Sequence, residues 1–326
     1  MQYVRLGATG LEISRLILGC GNFGGVGSAP EFYGFGETEE QAIDLMDRAW
    51  DAGITAFDTA DAYGDGRSET YIGRWVARKG PAVRDRLVLT SKVFNPVGPG
   101  PNRRGLSRKH ITQQIDASLT RLQTDRLDLY LMHEPDPETP IEETLRAFDD
   151  LVRAGKVLHI GASNIEAWRL ALARGISDRL RIARFESVQN SYSLLDRSAE
   201  REMLPLCRHE SMAFTAFSPL AGGWLSGKYR SGKPYPDGSR MTMRPEPYTH
   251  LTNERVFAGL AALEADARAR GLAMSTLALA WELHQPGLTA AVIGPRTAAH
   301  LDAAVVASEV SLQPKEVAAI SGYFEA

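Results

Sequence analysis

Four polar residues close four separate apolar runs of this chain, and a tyrosine follows the first of them. Asp58, Lys92, His133 and Asn164 each stand at the end of such a run, and Tyr63 comes shortly after Asp58. A parallel barrel gathers the carboxyl ends of its strands on one face, where its chemistry takes place. If these runs are strands of one barrel, the five side chains share one site.

These residue types suit the protonation of a carbonyl oxygen. A tyrosine hydroxyl has an ordinary pKa of about 10, and a buried lysine stays charged only beside a carboxylate. We therefore expect Asp58 to keep Lys92 charged, and Lys92 to lower the pKa of Tyr63. His133 would donate a hydrogen bond to the oxygen that Tyr63 protonates. Because the sequence indicates no activated serine or cysteine, a hydride from a cofactor is the expected attacking group.

Each of these residues, taken alone, has a common structural explanation. An aspartate at a strand end often caps a helix or anchors a loop, and a lysine there is often solvated. A histidine after a strand is often a hydrogen-bonded structural residue, and Tyr63 could pack on the barrel rim. Asn164 is expected to cap the helix that runs through Trp168 and Leu172. The catalytic hypothesis depends on their joint placement.

The rest of the chain repeats one unit, a short apolar strand followed by an amphipathic helix. The expected strands are Arg15–Cys20, Ile54–Thr59, Leu87–Val93, Leu127–Met132, Val157–Ala162, Glu186–Gln189, Ala213–Phe217 and Ala290–Ile293. Eight such units predict an α/β fold, a (β/α)₈ TIM barrel that forms a single domain over residues 1–326. 

Three further segments have clear signals. Residues 3–5 and 11–14 flank a Gly-containing turn and predict a β-hairpin that closes the bottom of the barrel. Thr38 and Gln41 have the spacing of a capping box at the start of the first helix. The segment 221–250, after the seventh strand, is longer than an ordinary connection, and loops of this kind are usually functional.

Composition narrows the function class. The net charge of −3 comes from interspersed acidic and basic residues, which argues against nucleic-acid binding. Cys20 and Cys207 give neither a disulfide framework nor a zinc-like spacing, so no metal site is expected. The sequence has no apolar leader and no run of about 18 apolar residues, so we expect no membrane insertion and a cytoplasmic location.

Longer stretches around the candidate residues resemble the aldo-keto reductases. The similar stretches keep the family's order from the first strand to the last. They are residues 53–64 (GITAFDTADAYG), 68–69 (SE), 91–92 (SK), 126–133 (RLDLYLMH), 155–164 (GKVLHIGASN), 189–192 (QNSY) and 218–220 (SPL).

The resemblance implies a reversible, NADPH-dependent reduction of an aldehyde or ketone to the alcohol. Hydride would pass from nicotinamide C4 to the carbonyl carbon. Tyr63 would be the general acid, Asp58 and Lys92 the pair that tunes it, and His133 the residue that orients the carbonyl.

The same resemblance implies a set of cofactor contacts. The nicotinamide carboxamide would be held by Ser163, Asn164 and Gln189, and its ring would stack on Phe217, close to Asp58 and to the backbone of Gly19 and Cys20. The pyrophosphate would lie under the loop after the seventh strand, against Ser218, Pro219, Leu220, Gly222, Ser226, Lys228 and Arg240. Residues Gly294, Arg296 and Thr297 would bind the 2′-phosphate, which favours NADPH over NADH. His300 lies where many relatives have an adenine-binding glutamine.

The sequence leaves two alternatives open. The long loop after the seventh strand resembles the bacterial reductases and the potassium-channel β subunits, so the chain could be an NADPH-binding, redox-sensing subunit with little turnover. The channel subunits typically have asparagine at the position of His133, which favours the enzyme. A metal-dependent barrel hydrolase using Asp58 and His133 is the second alternative, but the sequence has no dense cluster of metal ligands.

The expected substrate is a small-molecule carbonyl compound. Aromatic residues on the expected rim loops predict an apolar or aromatic pocket, and they are Phe23, Tyr33, Phe35, Phe94 and Trp224. Neither the physiological substrate nor the oligomeric state follows from the sequence.

Overall fold

A hairpin opens the chain, as the sequence predicts. In the computed structural model, which describes residues 1–325, strands β1 (Tyr3–Arg5) and β2 (Glu12–Ser14) pair antiparallel. Leu6 and Ile13 are buried among apolar side chains at the amino ends of the barrel strands. The hairpin therefore closes the bottom of the barrel and leaves the opposite face for the site.

Eight parallel strands form a closed barrel in sequential order. They are β3 (Leu16–Gly19), β4 (Ala56–Asp58), β5 (Val88–Val93), β6 (Leu127–Met132), β7 (Val157–Ser163), β8 (Phe185–Ser191), β9 (Ala213–Phe217) and β10 (Ala290–Ile293). The last strand pairs with both β9 and β3, which closes the ring. The prediction of a (β/α)₈ barrel is confirmed, and the sequence places most strand ends to within two residues.

Helices surround the barrel and pack apolar faces against it. They are α1 (Glu39–Asp51), α2 (Arg67–Lys79), α3 (Pro81–Arg84), α4 (Arg108–Leu122), α5 (Ile141–Arg153), α6 (Ala167–Leu180), α7 (Met203–Glu210), α8 (Arg240–Met243), α9 (Glu254–Ala269), α10 (Met274–Leu283), α11 (Ala298–Ala307) and α12 (Pro314–Gly322). Thr38 and Gln41 form both hydrogen bonds of the expected capping box. No helix within residues 1–325 is both long and apolar enough to span a membrane.

The segment after β9 is partly helical. It contains the 3₁₀ turns Ala221–Ser226 and Glu246–Leu251, with α8 between them. Trp224 is fully buried there and packs against Tyr229, Tyr235 and Phe257. The long segment therefore has a small aromatic core of its own.

The predicted helix cap at Asn164 is wrong. Helix α6 begins at Ala167, and Asn164 instead adopts a left-handed backbone conformation with φ of 51°. Asparagine tolerates this conformation better than most residues. Trp168 and Leu172 lie on that helix as expected, and they are 59% and 52% exposed. The side chain of Asn164 is thus free to point along the barrel rim.

Candidate active site

A buried ion pair lies at the upper end of β4 and β5. The Lys92 ammonium donates hydrogen bonds to Oδ1 of Asp58, to the Thr59 carbonyl oxygen at 3.0 Å and to the Tyr63 hydroxyl at 3.4 Å. Lys92 is only 1% exposed. Three acceptors converge on one ammonium because β4 and β5 are neighbours and the turn after β4 brings Tyr63 back over the strand ends.

His133 completes the group from the end of β6. Its Nε2 lies 3.3 Å from the Tyr63 hydroxyl, and the two rings meet edge to face. Its Nδ1 lies 3.0 Å from Nδ2 of Asn95, in the loop after β5. The structure therefore brings Asp58, Tyr63, Lys92 and His133 together, as the sequence predicts.

Burial decides the protonation states of this group. It lowers the pKa of His133 well below the ordinary value, and the nearby charge of Lys92 lowers it further. Burial also acts to lower the pKa of Lys92, but Asp58 and Tyr63 outweigh it and the pKa is raised. The site therefore holds a neutral imidazole beside a charged ammonium.

The predicted direction of the Tyr63 pKa is wrong. Burial raises the pKa of the Tyr63 hydroxyl, and the opposing effect of Lys92 does not reverse this. Lys92 does act on Tyr63 in the expected sense, but desolvation of the phenolate is the larger effect. Tyr63 is consequently protonated at neutral pH, which is the state that a proton donor requires.

The three residues expected at the nicotinamide carboxamide form hydrogen bonds with Asp58, with His133 or with one another. Gln189 on β8 donates from Nε2 to Oδ2 of Asp58 at 2.8 Å, and Ser163 donates to the Gln189 carbonyl oxygen at 2.8 Å. Asn164 donates from Nδ2 to the His133 carbonyl oxygen at 3.0 Å. Polar groups from β4, β7 and β8 thus form one connected network beside Tyr63, Lys92 and His133.

The backbone of Cys20, in the loop after β3, already forms hydrogen bonds within the protein. Cys20 donates its N–H to the Asp58 carbonyl oxygen at 2.8 Å, and its own carbonyl oxygen accepts from Ser68 at 2.8 Å. Burial raises the pKa of the Cys20 thiol well above its usual range. Gly19 leaves no room for a side chain, since a Cβ there would meet the Ile293 carbonyl oxygen at 2.9 Å.

The loop after β9 turns sharply beside Phe217, which is half-buried at the strand end. Ser218 and Ala221 have positive φ values of 58° and 45°, conformations that strain residues with a side chain. They flank Pro219 and Leu220, and Gly222 follows with φ of 63°. Strain of this kind persists where the surrounding structure fixes it, often at ligand-binding loops.

Basic side chains from two loops meet beside this turn. Burial lowers the pKa of Lys228, and the charges of Arg296 and Arg240 lower it further. Arg240 donates to Oδ1 of Asn22 at 2.9 Å, and Arg296 donates from Nε to Glu37 at 2.9 Å. One carboxylate faces three cations, so the cluster carries excess positive charge.

The start of α11 lies next to these cations. Thr297 caps the helix by accepting from the His300 N–H at 3.3 Å. His300 Nδ1 lies 3.4 Å from the Arg296 N–H, and burial with the charges of Lys228 and Arg296 lowers the His300 pKa. Gly294 precedes this turn. Ser226, in the loop after β9, donates its hydroxyl to the Gly223 carbonyl oxygen at 2.7 Å.

The expected rim of aromatic side chains is mostly wrong. Phe23, Phe94 and Trp224 are buried in the core rather than exposed at the rim. Tyr33 is half-buried, and Phe35 is 62% exposed. Of these five residues only Tyr33 and Phe35 are accessible, so the rim is less apolar than the aromatic residues of the loops led us to expect.

Four polar residues at the site were not identified from the sequence. Asn95 contacts His133, Ser28 contacts Asn95 at 3.3 Å, and Asn22 and Glu37 pair with the arginines. For Asn95 a signal was available, because it closely follows Lys92 beyond the same strand end. The other three lie in the long loop after β3, whose path the sequence does not specify.

Comparison with known proteins agrees with the fold over nearly the whole chain. The sequence model described as "Aldo/keto reductase family" matches residues 15–324. An uncharacterized oxidoreductase, YrpG, of Bacillus subtilis is 40% identical over 326 residues, covering 97% of this chain and 94% of the relative. Versiconal hemiacetal acetate reductase of Aspergillus parasiticus is 34% identical over 97% of this chain and 95% of its own. A probable voltage-gated potassium channel subunit beta of Arabidopsis thaliana is 34% identical over 90% and 87%.

Proposed function

This chain belongs to the aldo/keto reductase family of oxidoreductases, and on that premise we propose that it reduces an aldehyde or ketone to the alcohol with NADPH. The observation that carries the proposal is the position of the Tyr63 hydroxyl. It lies between the Lys92 ammonium and the His133 imidazole, at 3.4 Å and 3.3 Å. A hydroxyl in this position can lose its proton to a substrate oxygen while both neighbours stabilise the change in charge.

Each residue has a separate part in this proposal. Tyr63 keeps its proton at neutral pH because burial raises its pKa. As the proton leaves, Lys92 compensates the negative charge on the phenolate oxygen, and Asp58 keeps Lys92 charged. His133, held neutral by burial and by Lys92, can bind the carbonyl oxygen without competing as an acid.

The site residues fit a dinucleotide cofactor. The excess positive charge of Lys228, Arg240 and Arg296 suits phosphate groups, and burial together with the two arginine charges lowers the Lys228 pKa. Ser163, Asn164 and Gln189 would hold the carboxamide and Phe217 the ring, with Ser218, Pro219, Leu220, Gly222 and Ser226 over the pyrophosphate, and Arg296 with Thr297 at the 2′-phosphate. When bound, the cofactor would supply the hydride for the carbonyl carbon.

The redox-sensing alternative keeps some support from the channel β subunits among the relatives. The contact between His133 and Tyr63 favours the enzyme, because a sensor needs no group to orient a carbonyl oxygen. Repeated turnover on a simple aldehyde would decide between them. A metal-dependent hydrolase is disfavoured because Asp58 is committed to an ammonium and to Gln189.

The proposal extends to the protein's setting. We place this single barrel domain in the cytoplasm, acting on a small carbonyl compound, without a role in nucleic-acid or membrane binding. Cys20 and Cys207 support a reducing compartment, since both are buried thiols.

The test is Tyr63→Phe, with Tyr3→Phe as the control because Tyr3 donates its hydroxyl only to Gly53, away from the site. NADPH oxidation would be followed with 4-nitrobenzaldehyde, and NADPH binding by protein fluorescence. Removing a general acid should lower kcat by about 10²- to 10⁴-fold, with the NADPH affinity unchanged. Wild-type turnover in Tyr63→Phe would overturn the role of Tyr63.

A further inference from the structure

Asn95 has no role in the function proposed above, yet its amide binds the imidazole that faces Tyr63. It lies in the loop directly after β5, half-buried, with Nδ2 at 3.0 Å from Nδ1 of His133. The same nitrogen lies 3.3 Å from Oγ of Ser28, in the loop after β3. Two loops of the barrel thus meet at one amide group.

The contacts of this amide suit a donor. A side-chain NH₂ carries two hydrogens, so it can serve two acceptors at once. Nδ1 of a neutral imidazole is an acceptor when the ring proton is on Nε2, and a serine oxygen can accept as well. Asn95 can therefore donate one hydrogen to His133 and the other to Ser28.

The opposite orientation of the Asn95 amide would leave Tyr63 without a hydrogen for the substrate. With its oxygen toward Nδ1, Asn95 would require the ring proton on Nδ1, and Nε2 would then accept from Tyr63. The hydroxyl of Tyr63 would then donate its only hydrogen to His133. In the first orientation, Tyr63 accepts from Lys92 and from Nε2–H of His133, and its own hydrogen is left for a substrate.

An imidazolium is not an alternative explanation of the contact. Burial and the charge of Lys92 lower the pKa of His133 well below its ordinary value, so the ring is neutral at neutral pH. Only the choice between the two neutral tautomers is left to the hydrogen-bond partner of Nδ1.

We propose that Asn95, supported by Ser28, is a positioning residue that fixes His133 as the Nε2–H tautomer and so leaves the Tyr63 hydroxyl free to protonate the substrate. This rests on the carbonyl reduction proposed above. In that reaction, Nε2–H of His133 would donate to the carbonyl oxygen, and the proton itself would come from Tyr63. Asn95 acts only through His133.

The first experiment reads the tautomer directly, without any substrate. Nitrogen NMR of the labelled full-length protein, with the His133 signals assigned by their loss in His133→Gln, distinguishes a protonated from an unprotonated ring nitrogen. The wild type should show hydrogen on Nε2 and none on Nδ1. A wild-type signal with hydrogen on Nδ1 would overturn the proposal whatever the activity.

The second experiment changes the partner of Nδ1. Asn95→Asp places an acceptor there and should move the ring proton to Nδ1, with kcat lower by about 10²- to 10³-fold, the cost typical of losing one donor to a reacting oxygen. The affinity for NADPH should not change. Asn102→Asp is the control, since Asn102 is an exposed asparagine of the same loop.

The outcomes separate the two proposals. Two results would overturn the role of Asn95. One is a His133 ring in Asn95→Asp that still has hydrogen on Nε2 and none on Nδ1, and the other is a shifted tautomer with wild-type kcat. Asn95→Gln, which keeps the amide on a longer chain, should recover more of kcat than Asn95→Asp, and equal losses would also count against it. If the tautomer responds as expected but wild-type protein turns over no carbonyl compound, the tautomer assignment stands and the reductase function fails.

Discussion

The ion pair of Asp58 and Lys92 should make the two residues strongly interdependent for stability. Both are buried, at 3% and 1% exposure. Asp58→Asn leaves the ammonium with the Thr59 carbonyl oxygen and the Tyr63 hydroxyl as its partners. Breaking a buried pair from one side costs about 3–5 kcal/mol, because the other charge stays buried without its counterion. Lys92→Met should cost less, since Gln189 still donates to Asp58 at 2.8 Å.

The double variant Asp58→Asn/Lys92→Met leaves no charge uncompensated. Its loss in unfolding free energy should therefore be smaller than the sum of the single losses, by about 2 kcal/mol or more. Urea unfolding at about pH 7, followed by tryptophan fluorescence, measures all four proteins. All three variants should lose turnover, which separates the stability effect from the catalytic one.

A second double-mutant cycle, on a solvent-exposed ion pair, provides the control. Glu142 and Arg146 form an ion pair at 3.0 Å on α5, with side chains 42% and 47% exposed. Their coupling in Glu142→Gln/Arg146→Met should be only about 0.5 kcal/mol or less. If the Asp58 and Lys92 losses add to within about 0.5 kcal/mol, as for independent sites, the two charges do not support each other and our reasoning about Lys92 is refuted.

Three further predictions concern other charged or titrating groups. The carboxyl group of Glu282 is fully buried and has no hydrogen-bond partner within residues 1–325, and burial raises its pKa. Stability should therefore fall as pH rises above the unfolded pKa, by up to about 1.4 kcal/mol per pH unit. Glu282→Leu should remove that slope in urea unfolding, and exposed Glu309→Leu should not. Arg296→Ala should weaken NADPH binding by about 10- to 100-fold but NADH binding little, and equal losses by fluorescence titration would exclude a 2′-phosphate contact. Alcohol oxidation needs Tyr63 deprotonated, and because its pKa is raised, the initial rate should climb about tenfold per pH unit above neutrality; a flat profile would exclude Tyr63 as the base.

The barrel and the group around Tyr63 could be predicted from the sequence because both depend on local patterns. Strand positions follow from short apolar runs, and the closed ring follows from eight consecutive units. Once the strands are placed, residues at their carboxyl ends must meet on one face. Asp58, Lys92 and His133 therefore come together through topology alone.

What the sequence could not supply depends on loop paths and on burial. Trp224 looked like a rim residue, but the segment after β9 folds over it with Tyr229, Tyr235 and Phe257. Asn164 has the residue type of a helix cap, yet its left-handed backbone turns it away from α6. The pKa of Tyr63 was predicted from its charged neighbour, whereas the direction is set by the burial of the hydroxyl.

The Lys92 ammonium influences the protonation of both of its titrating neighbours at this site. Lys92 stays charged because of Asp58. Its charge adds to the burial that lowers the His133 pKa, and it opposes the burial that raises the Tyr63 pKa. A neutral residue at this position would leave the phenolate without compensation and would allow His133 to be protonated more easily. Tyr63 and His133 would then compete to donate a proton to the substrate. Because Lys92 acts on both neighbours at once, it would, in the proposed reduction, favour proton loss from Tyr63 and leave His133 to orient the carbonyl oxygen.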